Sequence, residues 1–164
     1  MHLYETHLPV QDTMRAVTFY REVVGLELAY RDPRRDIVFL WVGGKERSML
    51  GLWGPETVYG RVPGKRHLAF AVPLSELLVA GERLRQHGVT TTNFFQEPTA
   101  EPSVIGWMPS AQLYFPDPDG HALEYIALLD GPPDADFIGS LSAWRARATA
   151  NGVGGTSTTP ALST

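Results

Sequence analysis

The chain has no cysteine among its 164 residues, only a small excess of charge, and no long apolar run. The absence of cysteine excludes a disulfide scaffold, a thiolate nucleophile and a sulfur-ligated metal. The net charge of -4, without a cluster of Lys and Arg, argues against nucleic acid as a partner, because phosphate neutralisation requires grouped cations. The apolar runs are too short for a membrane span and the first residues lack a signal pattern, so we expect a cytoplasmic protein without a membrane partner.

Glycine and proline are abundant, with 16 and 13 residues respectively. A composition of this kind predicts many short strands separated by tight turns. With no thiols available, any chemistry must come from histidines, carboxylates and hydroxyls.

The chain repeats one order of elements. Apolar residues at helical spacing predict helices over residues 12–25 and 75–87. Alternating segments bounded by turn residues predict strands at 3–9, 26–31, 37–42, 48–53, 67–72, 89–93, 112–115 and 121–127. A shift of 62 residues overlays the first strand on the fifth, and a shift of 73 overlays the fourth on the last. The sequence therefore predicts an α+β domain of two βαβββ modules that together form a curved mixed sheet.

The domain is expected over residues 1–131, with modules at about 3–57 and 65–129. The second module contains about ten extra residues within 94–110. This segment is predicted to be a long loop, and its apolar residues Phe94, Phe95, Trp107 and Met108 favour a binding lid or an interface. Residues 132–164 are predicted to be an extension, with a short helix over 137–148 that docks on the domain and a flexible tail of about a dozen residues.

Strand alternation places four polar side chains on the sheet face that points away from the helices. They are Glu5 and His7 in the first strand, His67 in the fifth and Glu124 in the last. A carboxylate in an apolar strand such as 122–127 is costly to bury as an ion unless it is paired or metal-bound. Two carboxylates and an imidazole without a facing Lys or Arg favour a divalent cation, which could be Mn, Ni, Zn or Fe. The alternative is an open sheet on which these side chains are solvated.

Two segments give the chain a family resemblance. FYREVVGL at residues 19–26 and YFPDPDGHALE at 114–124, together with the duplicated pattern, resemble the vicinal oxygen chelate superfamily. This superfamily includes glyoxalase I, bleomycin-resistance proteins, fosfomycin-resistance transferases and extradiol dioxygenases. The resemblance covers roughly residues 3–129 and implies that each module forms half of a barrel, with metal ligands on its first and last strands.

The resemblance also implies a ligand set. His67 and Glu124 fall on ligand positions of the second module with the expected residue types. Glu5 falls where a histidine is common, and Gly51, which cannot bind a metal, falls where glyoxalase I-like members have a fourth ligand. We therefore expect a three-ligand site made by Glu5, His67 and Glu124.

Further roles follow for neighbouring residues. His7 lies about 7 Å along the strand from Glu5 and is predicted to be a general base or a substrate hydrogen-bond partner; a solvated strand histidine is the alternative. Tyr114 falls where family members often place a pocket hydroxyl. His121 points to the other face and is expected to be a turn residue. The predicted substrate-binding residues are Trp41, Met49, Trp53 and Trp107, for which core filling is the alternative.

The leading hypothesis is a metal-dependent enzyme that acts on a small oxygen-bearing organic substrate by lyase, isomerase or thiol-transfer chemistry. The absence of the two-His-one-carboxylate set disfavours an iron dioxygenase. A metal-free binding protein of the bleomycin-resistance kind is the main alternative, and a divergent member that acts only in dimer contacts is a third. Open sheet edges predict a homodimer.

Overall fold

The computed structural model describes residues 2–62 and 64–153. The first module contains β1 (Glu5–Pro9), α1 (Thr13–Glu22), β2 (Glu27–Arg31), β3 (Ile37–Val42) and β4 (Ser48–Trp53). The second contains β5 (His67–Ala71), α2 (Leu74–Gln86), β6 (Ser103–Ile105), β7 (Ser110–Pro116) and β8 (Ala122–Leu128), and β9 (Ile138–Ser140) and α3 (Leu141–Val153) follow. The predicted α+β class and the doubled βαβββ order are confirmed.

Both predicted module helices are present, and the residues that favour a helix end flank them. The Asp12 side chain accepts a hydrogen bond of 2.9 Å from the Arg15 N–H and so caps α1. Gly25 and Gly88, which follow α1 and α2, have φ angles of 89° and 75°. Glycine adopts this left-handed conformation without a Cβ clash, so it ends each helix and turns the chain towards the next strand.

Each module forms its own mixed sheet. The strand orders are β1-β4-β3-β2 and β5-β8-β7-β6-β9, with β1 parallel to β4 and β5 parallel to β8. The two sheets and the helices share one apolar core on the helix side, which includes Leu8, Leu50, Leu77 and Leu123, all fully buried. No helix in the described part of the chain has the length and apolar character to cross a membrane.

The edge strands β1 and β5 border the same cleft. Residues 4–6 and 68–70 line one cleft of about 180 Å³ between the two sheets. Within the described residues, no ladder of hydrogen bonds joins β1 to β5. The two edge strands therefore flank a cleft but are not tied together by strand hydrogen bonds.

The strand predicted over 89–93 is wrong. Only Thr92 pairs there, through single bridges to Pro98 and Tyr114. The Asn93 side chain accepts hydrogen bonds from the Phe95 and Glu97 N–H groups and holds a turn instead. Proline has no N–H to donate to a ladder, so Pro98 also prevents a longer pairing.

The loop predicted over 94–110 is partly wrong, because it contains the short strand β6 against the outer edge of β7. The helix predicted over 137–148 begins later, at Leu141. Residues 138–140 form β9, which pairs with β6 and completes the second sheet, and the Ser140 side chain accepts from the Ala143 N–H at the start of α3. The predicted flexible tail lies, apart from Val153, outside the described residues.

The buried side chain of His121 joins the two modules. Its Nδ1 accepts a hydrogen bond of 3.0 Å from the Arg66 N–H. Its Nε2 therefore carries the hydrogen and donates to the Pro9 carbonyl oxygen at 2.7 Å. Both ring nitrogens are used, in agreement with a turn residue rather than a metal ligand.

Asp117 and Asp119, which lie in the same turn as His121, contact the helix α1. The Tyr20 hydroxyl donates to Asp117 at 2.9 Å, and this pair is buried. Burial and the neighbouring Asp117 carboxylate raise the pKa of Tyr20 far above its usual value. Arg15 forms an ion pair of 2.6 Å with Asp119. The segment from Asp117 to His121 is therefore the polar contact between the first and second modules.

Replacement of His121 by Ala removes both hydrogen bonds and leaves the Arg66 N–H and the Pro9 carbonyl without their partner. We expect a loss of about 2–4 kcal/mol in the free energy of unfolding, measured by urea denaturation. The control is His87→Ala, at an exposed position after α2, with an expected change within about 0.5 kcal/mol. A His121→Ala protein as stable as this control would contradict the joining role.

Candidate functional site

The sheet register aligns the predicted site residues in rows across neighbouring strands. In the first module, Glu5 pairs with Met49 and His7 pairs with Gly51. In the second, Ala69 pairs with Glu124, which in turn pairs with Tyr114. Cross-strand partners point to the same face, so each row lies on the face away from the helices.

The second-module pair is a close contact between an imidazole and a buried carboxylate. His67 Nε2 lies 3.1 Å from Glu124 Oε2, and the side chains are 54% and 8% exposed. Burial raises the pKa of Glu124, whereas the His67 imidazole opposes this shift. The solvated alternative therefore does not hold for Glu124, because its side chain is buried and burial opposes its ionisation.

Tyr114 lies beside this pair. Its ring centroid is 6.4 Å from that of His67. Burial, and secondarily the Glu124 carboxylate, raises the pKa of Tyr114 to about 12. At neutral pH the phenol therefore remains protonated and is able to donate a hydrogen bond.

The first-module pair is built within one strand. The Glu5 carboxylate contacts Nε2 of His7, and the two side chains are 34% and 25% exposed. The His7 ring lies against Trp53 and Tyr59, with centroid distances of 4.8 Å to each. Phe39 meets the same ring edge-on at 6.3 Å. His7 is therefore held by aromatic neighbours and is not a freely solvated histidine.

Sequence reasoning missed Phe39 and Tyr59. Phe39 could have been found, because it precedes the predicted residue Trp41 by two positions on the same strand face. Tyr59 lies in the segment between the modules, where no periodicity indicates the direction of a side chain. Only the folded segment brings its ring against Trp53, at a centroid distance of 4.6 Å.

Gly51 makes room for the His7 ring. A Cβ atom on Gly51 would lie 2.8 Å from His7 Cδ2 and 2.8 Å from Trp53 Nε1. Real Cβ atoms do not approach so closely, so any side chain at this position must displace its neighbours. The absence of a side chain at Gly51, the expected position of a fourth ligand, is thus coupled to the presence of the imidazole ring of His7.

The other predicted substrate-binding residues separate into two groups. Trp41 and Met49 share a row with Glu5 and are half-buried, and Trp53 is buried with an indole N–H that has no partner among the described residues. Trp107 is 63% exposed in the turn between β6 and β7, away from the rows that carry the two pairs.

The structure brings together two of the three predicted ligands, His67 and Glu124, whereas the third, Glu5, contacts His7. Among the described residues, no three His, Asp or Glu side chains form a cluster that could hold one ion. The His67–Glu124 contact of 3.1 Å nevertheless fits one ion, because ligands about 2.1 Å from a metal lie roughly 3.0–3.4 Å apart. The nitrogen and oxygen donors suit Mn, Ni, Zn or Fe. The complete set of Glu5, His67 and Glu124 stays a prediction.

The position of Tyr114 predicts a pH dependence. An ordinary tyrosine ionises near pH 10 and Tyr114 near 12, so the unfolded chain loses this proton first. Its contribution to stability is therefore complete below pH 10 and is lost as the pH rises through 12. In metal-free protein, tyrosinate absorbance should contain a component near pH 12 that Tyr114→Phe removes and Glu124→Gln moves downward. A component unchanged by Glu124→Gln would contradict the proximity of the carboxylate.

The chain matches the family model of the glyoxalase/bleomycin resistance protein/dioxygenase superfamily over residues 2–125. An integron cassette protein from the mobile metagenome of the Halifax Harbour sewage outfall is 31% identical, covers 77% of this chain and 98% of its own, and has a TM-score of 0.64. A lactoylglutathione lyase from Agrobacterium tumefaciens is 25% identical, with coverage of 77% and 92% and a TM-score of 0.58. No curated protein matches. The resemblance noted in the sequence is confirmed, and the chain belongs to the glyoxalase/bleomycin resistance protein/dioxygenase superfamily.

Proposed function

We propose that this protein is a metal-dependent enzyme that acts on a small oxygen-bearing organic substrate by lyase, isomerase or thiol-transfer chemistry. The observation that carries this proposal is Glu124, a carboxylate with a side chain only 8% exposed that lies 3.1 Å from the His67 imidazole. A buried carboxylate is costly without a strong counter-charge, and a divalent cation supplies one while using the same imidazole.

The proposed ligands are His67, Glu124 and Glu5, with Mn, Ni, Zn or Fe as the ion. When bound, this ion would act as a Lewis acid that polarises oxygen atoms of the substrate. Tyr114, protonated at neutral pH, would donate a hydrogen bond to a substrate oxygen. His7 would exchange a proton with the substrate, since a neutral imidazole is the usual general base at this pH.

Aromatic and thioether side chains would hold the organic part of the substrate. Trp41 and Met49 share the row of Glu5, and Trp53 supplies a buried indole beside His7. Such groups suit a partly apolar molecule. The proposal also includes Trp107, which would reach the substrate from the second-module segment 94–110. The proposal includes a cytoplasmic location and a homodimer.

A metal-free binding protein is the second candidate. The cluster of His7, Trp53, Tyr59 and Phe39 beside the Glu5 carboxylate favours it, because aromatic faces next to an anion attract organic cations. Benzyltrimethylammonium is a suitable probe. In this case it should quench tryptophan fluorescence in wild type and less in Trp53→Phe, with no metal required.

Metal content separates the two candidates. Purified protein is loaded with Mn, Ni, Zn or Fe(II) and desalted, and its metal content is measured by inductively coupled plasma mass spectrometry. We expect one ion per chain in wild type, and an affinity at least tenfold weaker in His67→Ala, Glu124→Gln and Glu5→Gln because each removes a ligand.

The controls are His87→Ala and Glu22→Gln, which change the same residue types at exposed positions and should bind like wild type. Wild type that retains none of the four metals would overturn the enzyme proposal. Full affinity in Glu124→Gln would do the same.

A further inference from the structure

The strand β7 carries polar side chains on the face that points away from the helices. They are Ser110, Gln112 and Tyr114, whereas the residues between them are apolar and belong to the core. Gln112 is only 1% exposed. A buried amide is costly unless its oxygen and its nitrogen are both hydrogen-bonded, so Gln112 needs a partner at each end of its amide group.

One end of the Gln112 amide is satisfied within the strand. Its Nε2 group donates a hydrogen bond of 2.5 Å to Ser110 Oγ. The Ser110 hydroxyl in turn donates to the Met108 carbonyl oxygen at 2.7 Å, so its hydrogen is already used and its oxygen can only accept. These two hydrogen bonds fix the direction of the amide, with its nitrogen towards Ser110.

The other end of the amide has no partner. Gln112 Oε1 is buried and accepts no hydrogen bond from any of the described residues. Turning the amide over would not help, because Oε1 would then face a Ser110 oxygen that has no hydrogen to give. A buried carbonyl oxygen loses its hydrogen bonds to water, and here the fold does not replace them. Such an acceptor requires an explanation, and a ligand that carries a hydrogen-bond donor supplies one.

The register places Gln112 beside the proposed active site. Its partner on β8 is Ile126, and the next pair along the same face joins Tyr114 to Glu124. Residues two apart on a strand are separated by about 6.6–6.8 Å. Tyr114, whose raised pKa keeps it protonated at neutral pH, is a donor, and Gln112 is an acceptor one strand repeat away. The face therefore presents a donor and an acceptor at a defined separation, with Ile126 as an apolar surface next to the acceptor.

We infer that Gln112 is a substrate-binding residue whose Oε1 accepts a hydrogen bond from the substrate. The substrate class is then a small organic molecule with an oxygen that accepts from Tyr114 and, about one strand repeat away, a hydroxyl or N–H group that donates to Gln112. This inference rests on the proposed function, because it takes the region of Tyr114 and Glu124 as the place where the substrate binds. It adds a requirement at the far end of the substrate, since a site with a buried acceptor rejects an analogue that has no donor to offer.

The test uses two neutral probes that differ in a single hydrogen-bond donor. 4-Hydroxyacetophenone has a carbonyl oxygen at one end of its ring and a hydroxyl group at the other, and in 4-fluoroacetophenone fluorine replaces the hydroxyl. Each probe is titrated calorimetrically at neutral pH into protein that has been incubated with Zn²⁺ and desalted. Wild type should bind the hydroxyl probe at least about tenfold more tightly, because this probe alone can donate to the Gln112 acceptor.

Gln112→Met keeps the length of the side chain but removes the acceptor. It should abolish the preference by weakening only the hydroxyl probe, with the affinity for the fluorinated probe within about twofold of wild type. The matched control is Gln86→Met, at an exposed position of α2, which should keep the full preference. Tyr114→Phe should weaken both probes by a similar factor and leave their ratio unchanged, since it removes a contact that the two probes share. Should Gln112→Met not fold, Gln112→Leu gives the same decision.

Three results would overturn the inference: equal affinity of wild type for the two probes, binding of neither probe, or a preference that persists without Gln112. The Zn²⁺ content of the same samples tests the proposed metal site separately. A wild type that retains no Zn²⁺ but shows the preference dependent on Gln112 would remove the metal from the proposed function and leave the substrate contact of Gln112 in place.

Discussion

The hydrogen bonds of His121 are the constraint on which the arrangement of the site depends. β1 and β5 share no strand ladder in the described residues, so sheet hydrogen bonds do not fix the distance between the two polar faces. The ring of His121 ties the end of β1 to the start of β5 through Pro9 and Arg66. Because one ring nitrogen accepts and the other donates, this contact fixes a single tautomer and uses both nitrogens of the ring.

The electrostatics of the two pairs differ because their burial differs. Burial raises the pKa of Glu124 and the His67 imidazole opposes this shift, and the Glu124 carboxylate raises the pKa of Tyr114 as a secondary effect after burial. Glu5 is about a third exposed, and water screens its charge. The second module therefore contains a carboxylate whose ionisation is opposed by burial, whereas the first contains a ring held by aromatic contacts.

The sequence predicted those parts of the structure that depend on local pattern. Strand alternation placed His67 and Glu124 on one face, and Gly25 and Gly88 predicted the helix ends, because these signals act within a few residues. The sequence-based prediction failed at residues 89–93, where residues that favour a strand pair only through Thr92. The turn at Asn93 and the strand β6, which pairs with β7, decide that pairing, and neither is visible in the composition of the segment. Tyr59 was missed for the same reason, since its contact with His7 depends on the path of the segment between the modules.

Family membership determines the sheet and the strand positions but not the donors that occupy them. Gly51 alone indicates a lost ligand, and Glu5 alone indicates a substituted one. Their meaning changes once the contact between Gly51 and His7 is considered, because a side chain at 51 and the ring at 7 compete for the same volume. Residues 7 and 51 therefore cannot vary independently: a carboxylate at 51 requires a small residue at 7, as Ala69 stands beside Glu124 in the second module.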